Sequence, residues 1–231
     1  MASEPSCLII GASRGLGLAM AEEYLGRGWR VTATVRGAGP TGLHALAARA
    51  GGRLAIERLD INDADQLAAL RARLEGQVFD QLFVNAGIAS DPAAPIGAVS
   101  TETFVELMVT NALSPMRAVE ALGDLVAPEG GIGLMSSGLG SVANNTTGMF
   151  EAYRASKAAL NTLMRSYAAR HRDSARSLAL VAPGWVRTDM GGPQATLSIG
   201  ESIPRVVDQL IARRGRPGLA FFDYTGAELP W

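Results

Sequence analysis

The stretch CLIIGASRGLGLAM, residues 7–20, contains an apolar run, a glycine-rich turn and the start of a helical pattern. Gly11, Gly15 and Gly17 are spaced G-x-x-x-G-x-G within the turn. Glycine permits a tight turn and lets the backbone approach a pyrophosphate, which then lies at the N-terminus of the following helix. Because this turn follows the first strand, it predicts a dinucleotide site in a doubly wound fold.

Short apolar, β-branched runs alternate with longer amphipathic or alanine-rich stretches along the rest of the chain. This alternation predicts a parallel sheet with helices on both faces. The predicted strands are residues 6–10, 30–35, 53–57, 80–84, 131–136, 177–181 and 218–222. The predicted helices lie near residues 15–27, 41–50, 63–75, 101–126, 151–172 and 200–213. The segment 128–131 is expected to be a turn before the fifth strand.

The predicted fold class is therefore α/β, with a seven-stranded parallel sheet in a single doubly wound Rossmann-type domain over residues 1–231. The dinucleotide-binding part is expected at about residues 1–135. The catalytic and substrate-loop part is expected at about residues 136–231. A chain of 231 residues suits one such domain.

Composition gives no reason to expect a nucleic-acid or membrane partner, a disulfide or a metal site. The 21 basic and 22 acidic residues give a net charge of -1, so no nucleic acid or anionic membrane is expected as a partner. Cys7 is the only cysteine, so no intrachain disulfide can form. The start lacks the pattern of a secretory signal, no stretch reaches about 18 apolar residues, and a cytoplasmic protein is expected. His44 and His171 show no metal-ligand spacing, so no metal site is predicted.

The end of the second predicted strand indicates which nucleotide would bind. In doubly wound folds an acidic residue there holds the ribose of NAD, whereas arginine suits a 2′-phosphate. Here the strand ends in Arg36 with no Asp or Glu nearby, and Arg14 lies in the glycine turn. Because guanidinium groups recognise phosphate well, NADP(H) is favoured over NAD(H) as the cofactor.

The segment YRASK, residues 153–157, places a phenol and an ammonium four residues apart, on one face of a helix. A neighbouring cation favours the phenolate, so Lys157 is expected to lower the pKa of Tyr153 from about 10. A tyrosine adjusted in this way can act as an acid or base near neutral pH. Taken alone, the segment also fits a surface tyrosine beside a solvated lysine.

Seven motifs, in order along nearly the whole chain, resemble the short-chain dehydrogenase/reductase family. They are GASRGLG (11–17), LDIND (59–63), VNAG (84–87), TNALSP (110–115), MSSG (135–138), YRASK (153–157) and PGWVRTDM (183–190). The run PGWVRTDMGG and the ending DYTGAELPW are most similar to C-factor and sniffer-type carbonyl reductases of this family. One departure is Ile10, which stands where the family usually has threonine before the turn.

The resemblance implies catalytic roles for four residues. Tyr153 would be the acid in reduction. Lys157 would lower its pKa and bind the nicotinamide ribose. Asn111 would hold a water that links this lysine to solvent, and Ser137 would donate a hydrogen bond to the reacting oxygen.

The serine assignment has two rivals. Ser141 fits the spacing of about a dozen residues before the tyrosine that many family members show. Ser137 instead occupies the usual place just after the fifth strand, and Ser136 adjoins it. Ser137 is preferred, because the C-factor-like proteins carry a slightly longer loop.

The resemblance also implies cofactor contacts. Thr188 would contact the nicotinamide carboxamide, and Asp60 and Ile61 would flank the adenine. The predicted cofactor-binding residues are Gly11, Ser13, Arg14, Gly15, Leu16, Gly17, Arg36, Asp60, Ile61, Asn85, Ala86, Gly87, Tyr153, Lys157, Pro183, Gly184, Val186 and Thr188.

The predicted function is NADPH-dependent reduction of an aldehyde or ketone to an alcohol. The alternatives are an alcohol dehydrogenase running oxidatively, or a nucleotide-binding signalling or sensor protein of C-factor type with incidental catalysis.

The expected partner is a small carbonyl or alcohol substrate. A homodimer or homotetramer through the helix at 152–169 is expected from the family. The predicted substrate residues are Gly138, Leu139, Met149, Phe150, Trp185 and Met190, with an apolar substrate portion or ordinary loop packing as the two interpretations.

Overall fold

The structure, a computed structural model, describes residues 4–231 and contains one seven-stranded parallel sheet of order β3-β2-β1-β4-β5-β6-β7. The strands are β1 (Ser6–Ile10), β2 (Arg30–Val35), β3 (Leu54–Arg58), β4 (Phe79–Val84), β5 (Val126–Met135), β6 (Ser177–Ala182) and β7 (Gly218–Asp223). The helices are α1 (Gly15–Gly26), α2 (Gly42–Arg49), α3 (Ala64–Arg73), α4 (Thr101–Met108), α5 (Ser114–Leu122), α6 (Glu151–Arg170) and α7 (Ile199–Arg213). The predicted α/β fold with a Rossmann-type sheet is confirmed.

Apolar cores lie on both faces of the sheet. In β1, Cys7 and Ile9 belong to the core under α1, α2 and α7, whereas Leu8 and Ile10 belong to the core under α3, α5 and α6. Successive side chains of a strand point to opposite faces, so a strand covered on both faces must be apolar throughout. This explains why β1 and β6 are nearly continuous apolar runs. Within residues 4–231, no helix has the length and apolarity needed to cross a membrane.

The single helix predicted over residues 101–126 is wrong. The structure has α4, a π-helical turn at Val109–Leu113, α5 and then a 3₁₀ turn at Gly123–Leu125. Pro115 near the start of α5 explains the break, because it has no N–H to donate to the carbonyl four residues earlier. Single π-helical turns often occur at functional sites, and this one contains Asn111.

The turn expected at residues 128–131 is also wrong, because these residues lie within the bounds of β5. Val126 pairs with Phe79 and Gly131 pairs with Gln81, so residues 127–130 bulge out of the ladder. Pro128 explains the irregularity, since proline cannot donate a ladder hydrogen bond. The regular part of β5 begins where the sequence predicted it.

The segment after β7 folds back along the outer edge of that strand. Asp223 N donates to Ala227 O at 2.9 Å, and Leu229 N donates to Phe221 O at 2.9 Å. Phe222 forms an antiparallel bridge with Glu228. The outer edge of β7 is therefore hydrogen-bonded to the segment 227–229.

Parallel strands bring all their carboxyl ends to one edge of the sheet, where ligands bind in folds of this type. The glycine turn follows β1, Arg36 follows β2, and Asp60 follows β3. The motifs VNAG, MSSG and PGWVRTDM follow β4, β5 and β6 in the same way. The fold thus places six separate sequence motifs at one edge.

Candidate active site

The glycine turn is shaped by close backbone contacts. Gly11 has a φ of +88°, and a Cβ there would lie 2.9 Å from Ala86 N. A Cβ on Gly17 would lie 2.1 Å from Gly11 O, which accepts a hydrogen bond from Asn85 Nδ2 at 2.8 Å. A side chain at Gly11 or Gly17 would therefore push the turn away from the VNAG segment.

A hydroxyl from the neighbouring strand holds the same turn. Gly11 N donates to Thr34 Oγ1 at 2.9 Å, and Thr34 on β2 is 1% exposed. Ile10 removes a hydroxyl from β1, but the turn still has one from β2. The sequence did not indicate Thr34, because a threonine within a β-branched strand is expected to pack in the sheet and not to hold a turn.

The first turn of α1 is available to an anion. Its Arg14 N-cap makes no side-chain cap bond and its first turn carries no acidic residue, so the N–H groups there keep their partial positive charge. A cleft of about 600 Å³ lies between this turn and the segment after β6. Its lining residues are Arg14, Gly15, Arg187, Thr188, Asp189, Gly192, Pro193 and Ile199. The close glycines, the free helix N-terminus and the cleft fit a dinucleotide pyrophosphate.

Both arginines of the cofactor prediction lie at this edge and are exposed. Arg36 directly follows β2, which pairs with β1 in the sheet. Arg14 Nη1 forms an ion pair with Asp189 Oδ2 at 2.6 Å. Asp60, after β3, accepts a hydrogen bond from Asn62 N at 3.0 Å, and Ile61 is buried.

The structure brings Ser137, and neither rival serine, to Tyr153. The Ser137 side chain is close enough to the Tyr153 hydroxyl to lower its pKa, and its Oγ accepts from Leu139 N at 3.1 Å. Ser136 Oγ donates to Asn161 Oδ1 at 2.7 Å. Ser141 Oγ accepts from Asn144 N at 3.2 Å. The geometry therefore favours Ser137 as the serine that acts with Tyr153.

The expected lowering of the Tyr153 pKa by Lys157 is wrong for this structure. Burial raises the pKa of Tyr153 to about 12, and only the neighbouring Ser137 acts in the opposite direction. Burial also lowers the pKa of Lys157 to about 8. Lys157 Nζ donates to Met135 O at 2.9 Å and lies 5.8 Å from the centre of the Tyr153 ring. The ammonium is thus directed at the end of β5, and Tyr153 stays protonated at neutral pH.

Asn111 joins the π-helical turn to the segment after β4. Its Nδ2 donates to Ile88 O at 2.9 Å and to Ser156 Oγ at 3.0 Å, while its Oδ1 accepts from Ile88 N at 2.8 Å. A Cβ on Gly87 would lie 3.1 Å from Asn111 Oδ1 and 3.5 Å from Lys157 Nζ. Gly87 therefore leaves space between the amide and the ammonium, where the predicted water would lie.

The predicted substrate residues lie on two segments, after β5 and after β6. Three of them are large apolar side chains left uncovered: Met149 is 51% exposed, Trp185 is 53% exposed and Met190 is 54% exposed. Gly138, Leu139 and Phe150 are partly buried. None of the six lines the cleft of about 600 Å³, and exposed apolar groups of this size can mark a ligand contact.

The segment after β6 is a loop fastened at its base. Arg187 N donates to Leu197 O at 2.8 Å, and Leu197 N donates to Trp185 O at 3.0 Å. Pro183 O accepts from Ser202 Oγ at 2.6 Å, and Gly184 and Val186 lie between these anchors. Trp185 Nε1 donates to Gly191 O at 2.8 Å, which ties the indole to the loop. Sequence reasoning missed Arg187 and Asp189 of this loop, although both lie inside the motif PGWVRTDM.

Comparison with known proteins identifies the class. A family model for short chain dehydrogenases matches residues 6–196, and the chain belongs to this family of oxidoreductases. Members of the family use nicotinamide cofactors.

Three relatives show which members of the family this chain is similar to. A Burkholderia multivorans protein solved with bound NADP is 58% identical, with 99% of this chain and 100% of that chain covered and a TM-score of 0.97. Carbonyl reductase Sniffer of D. melanogaster is 30% identical, with coverage of 99% and 100% and a TM-score of 0.89. C-signal of Myxococcus xanthus is 40% identical over 158 residues, which are 66% of this chain and 92% of that protein. The resemblance to C-factor and sniffer-type proteins is confirmed.

Proposed function

We propose that the protein is an NADPH-dependent reductase that converts an aldehyde or ketone to an alcohol. One observation carries the proposal: the protonated Tyr153 hydroxyl lies beside Ser137, which lowers its pKa, at the edge of the sheet where the dinucleotide cleft lies. A NADP-bound relative and a carbonyl reductase of the same fold support it.

The cofactor would lie along the carboxyl edge of the sheet. The N–H groups of the glycine turn and the first turn of α1 would hold the pyrophosphate. Arg14 and Arg36 would hold the 2′-phosphate, and Asp60 and Ile61 would flank the adenine. The nicotinamide end would lie by Lys157 and the loop after β6, including Thr188. When bound, this group supplies the hydride that reaches the carbonyl carbon.

Residues of the chain would supply the proton that the carbonyl oxygen takes up. The Tyr153 hydroxyl donates its proton to the carbonyl oxygen as negative charge develops there, and Ser137 donates a hydrogen bond to the same oxygen. Lys157, which is charged below pH about 8, would bind the nicotinamide ribose beside Tyr153. Asn111 would keep a water beside Lys157, so that Tyr153 can regain a proton. General acid catalysis of this kind contributes about 10²–10⁴-fold.

The substrate would carry an apolar portion. Met149 on the segment after β5, and Trp185 and Met190 on the loop after β6, present apolar surface to solvent. Each of these side chains would lose exposed apolar surface when such a portion binds, which favours binding.

A second function is favoured by one observation, the 40% identity to C-signal of Myxococcus xanthus. A signalling or sensor protein would need to bind the nucleotide and would not need turnover. It would tolerate loss of the Tyr153 hydroxyl. The oxidative direction, from alcohol to carbonyl, uses the same residues and differs only in which substrate is supplied.

The test is the rate of NADPH and NADH consumption over a panel of aldehydes and ketones. Tyr153→Phe removes the acid, and Tyr167→Phe on the same helix removes a hydroxyl remote from the cleft. We expect NADPH to be preferred, Tyr153→Phe to lower kcat by at least about 10²-fold, and Tyr167→Phe to stay close to wild type. NADPH binding without turnover, unchanged by Tyr153→Phe, would support the sensor function instead.

The self-association proposed from the family concerns α6. Leu163 on α6 is 40% exposed and Val105 on α4 is 50% exposed, so apolar surface is available on these helices. A homodimer or homotetramer through α6 is therefore proposed. Sedimentation of a single species of monomer mass at working concentration would contradict it.

A further inference from the structure

Arg154 is a buried cation directly after the proposed acid. Its side chain is on α6 and the residue is only 8% exposed. Among the ion pairs of residues 4–231, none includes Arg154. A buried charge without an opposite charge is costly unless hydrogen bonds replace its hydration. The position of Arg154 therefore needs an explanation other than an ion pair.

The guanidinium of Arg154 is fastened to the loop before α6. Its Nε donates to Met149 O at 2.7 Å, and its Nη2 donates to Thr147 Oγ1 at 3.0 Å. The planar fork therefore grips two residues of the segment 147–150 at once. Lysine could not reproduce this pair of bonds, because it presents one point charge instead of a fork.

The gripped segment has a strained backbone. Phe150 has a φ of +62°, and within residues 4–231 it is the only non-glycine residue with a positive φ. For such a residue the left-handed conformation is unfavourable, and it persists only where the surroundings enforce it. Phe150 N donates to Pro92 O at 3.0 Å, which fixes one side of the segment. Arg154 fixes the other side.

The segment 147–150 carries two of the predicted substrate residues. Met149, whose carbonyl accepts from Arg154, exposes about half of its side chain, and Phe150 leads directly into α6. Tyr153 lies one helical turn further along the chain. We propose that Arg154 is a positioning residue that fixes the segment 147–150 as a wall of the substrate pocket, and so determines affinity for bulky apolar carbonyl substrates. This inference rests on the proposed function.

The experiment compares Arg154→Gln and Arg154→Lys with Arg165→Gln. Arg165 is an exposed arginine on the same helix, stacked on Trp231 at 4.5 Å. We measure kcat and KM for a bulky aromatic ketone and for a short aliphatic aldehyde, together with the Kd for NADPH. Limited proteolysis reports the cleavage rate within residues 142–150.

We expect Arg154→Gln to raise KM for the bulky ketone by at least about tenfold and for the short aldehyde by less than about threefold. Its Kd for NADPH should be unchanged, and the loop should be cleaved faster. Arg154→Lys should retain the fold and show the same substrate difference in weaker form. Arg165→Gln should resemble wild type in every measurement.

Two results would overturn the proposal for Arg154. Equal losses of kcat for both substrates would mean that Arg154 acts on the chemical step, and unchanged KM values would mean that it positions nothing. If wild type consumes no NADPH with any carbonyl, the proposed function itself fails. The proteolysis then decides the role of Arg154 alone, because unchanged cleavage in Arg154→Gln contradicts a grip on the loop.

Discussion

Arg14 Nη1 lies 2.6 Å from Asp189 Oδ2, so an ion pair joins the glycine turn after β1 to the loop after β6. The two side chains are 76% and 78% exposed. Exposed pairs of this kind contribute little, about 0.2–1 kcal/mol in general, and open readily. Because Arg14 is also a proposed ligand of the 2′-phosphate, Asp189 and the cofactor would compete for one guanidinium.

Asp189→Asn should therefore bind NADPH more tightly, by about two- to fivefold, because it removes the competing carboxylate. Affinity for NADH, which lacks the 2′-phosphate, should change less. Fluorescence titration with both nucleotides measures the difference. Asp208→Asn, which removes a carboxylate paired with Arg27 elsewhere, is the matched control. Weaker NADPH binding by Asp189→Asn would show that the ion pair organises the cleft instead of competing for it.

Arg36→Asp should reverse the nucleotide preference. A carboxylate at the end of β2 can accept hydrogen bonds from a ribose and repels a 2′-phosphate. We expect kcat/KM for NADPH to fall by at least about tenfold while that for NADH rises. Steady-state rates with both nucleotides at a saturating carbonyl concentration measure the ratio. Arg30→Asp, at the opposite end of the same strand, should leave the ratio unchanged, and an unchanged ratio in Arg36→Asp would exclude Arg36 from the site.

Ser137→Ala should lower kcat by about 10²–10³-fold with little loss of stability, because it removes a donor to the reacting oxygen. Ser136→Ala removes a buried hydrogen bond to Asn161 and should lower the free energy of unfolding by about 1–2 kcal/mol. Turnover assays and urea denaturation of both variants separate the two roles. The reverse pattern would make Ser136 the catalytic serine.

Lys157→Met should stabilise the cofactor-free protein at pH 7 while abolishing activity. The pKa of Lys157 is about 8 in the folded protein against 10.5 ordinarily, so the buried charge costs roughly 3 kcal/mol below pH 8. Between pH 8 and 10.5 the unfolded chain binds more protons than the folded one, so wild-type stability rises there. The advantage of Lys157→Met, about 1–3 kcal/mol at pH 7, should shrink by pH 9.5.

Urea denaturation of wild type and variant at pH 7 and 9.5 checks this linkage. The pKa of Tyr153 is raised to about 12, so Tyr153 lowers wild-type stability with rising pH only above pH 10. There the tyrosine ionises in the unfolded chain before it ionises in the folded protein. Arg170→Met, an exposed position on the same helix, should show no such pH dependence. A Lys157→Met variant that is less stable at pH 7 would mean that the bond to Met135 outweighs the cost of burial.

Strands such as β1 and β6 could be predicted because they are buried on both faces and are apolar at nearly every position, whereas the edge strand β3 is partly exposed. Pro115 is a local sign of a helix break, but the π-helical form of that break could not be predicted. Residues 101–126 have a continuous helical pattern, and the break depends on Pro115 and on bonds from Asn111 to Ile88 and Ser156. Those partners are distant in sequence, so local periodicity contains no sign of them.

The candidate site divides in the same way. The spacing of Tyr153 and Lys157 predicted that both lie on one helix. It could not predict that both are buried, and burial raises the pKa of Tyr153 and lowers the pKa of Lys157. The direction of the ammonium depends on Met135 at the end of β5. Thr34 and Asp189 act through partners that are 23 and 175 residues away along the chain. Contacts of that range depend on the tertiary fold, which local sequence patterns do not contain.

The return of residues 227–229 along β7 has a consequence for how this protein behaves at high concentration. An open strand edge is a template on which other chains can add, and it is a common starting point for aggregation. Here Ala227 and Leu229 already occupy bonding positions on the outer side of β7. At the opposite edge, β3 ends in Glu57 and Arg58, whose charges discourage such addition. The sheet is thereby protected at one margin by its own chain and at the other by charge.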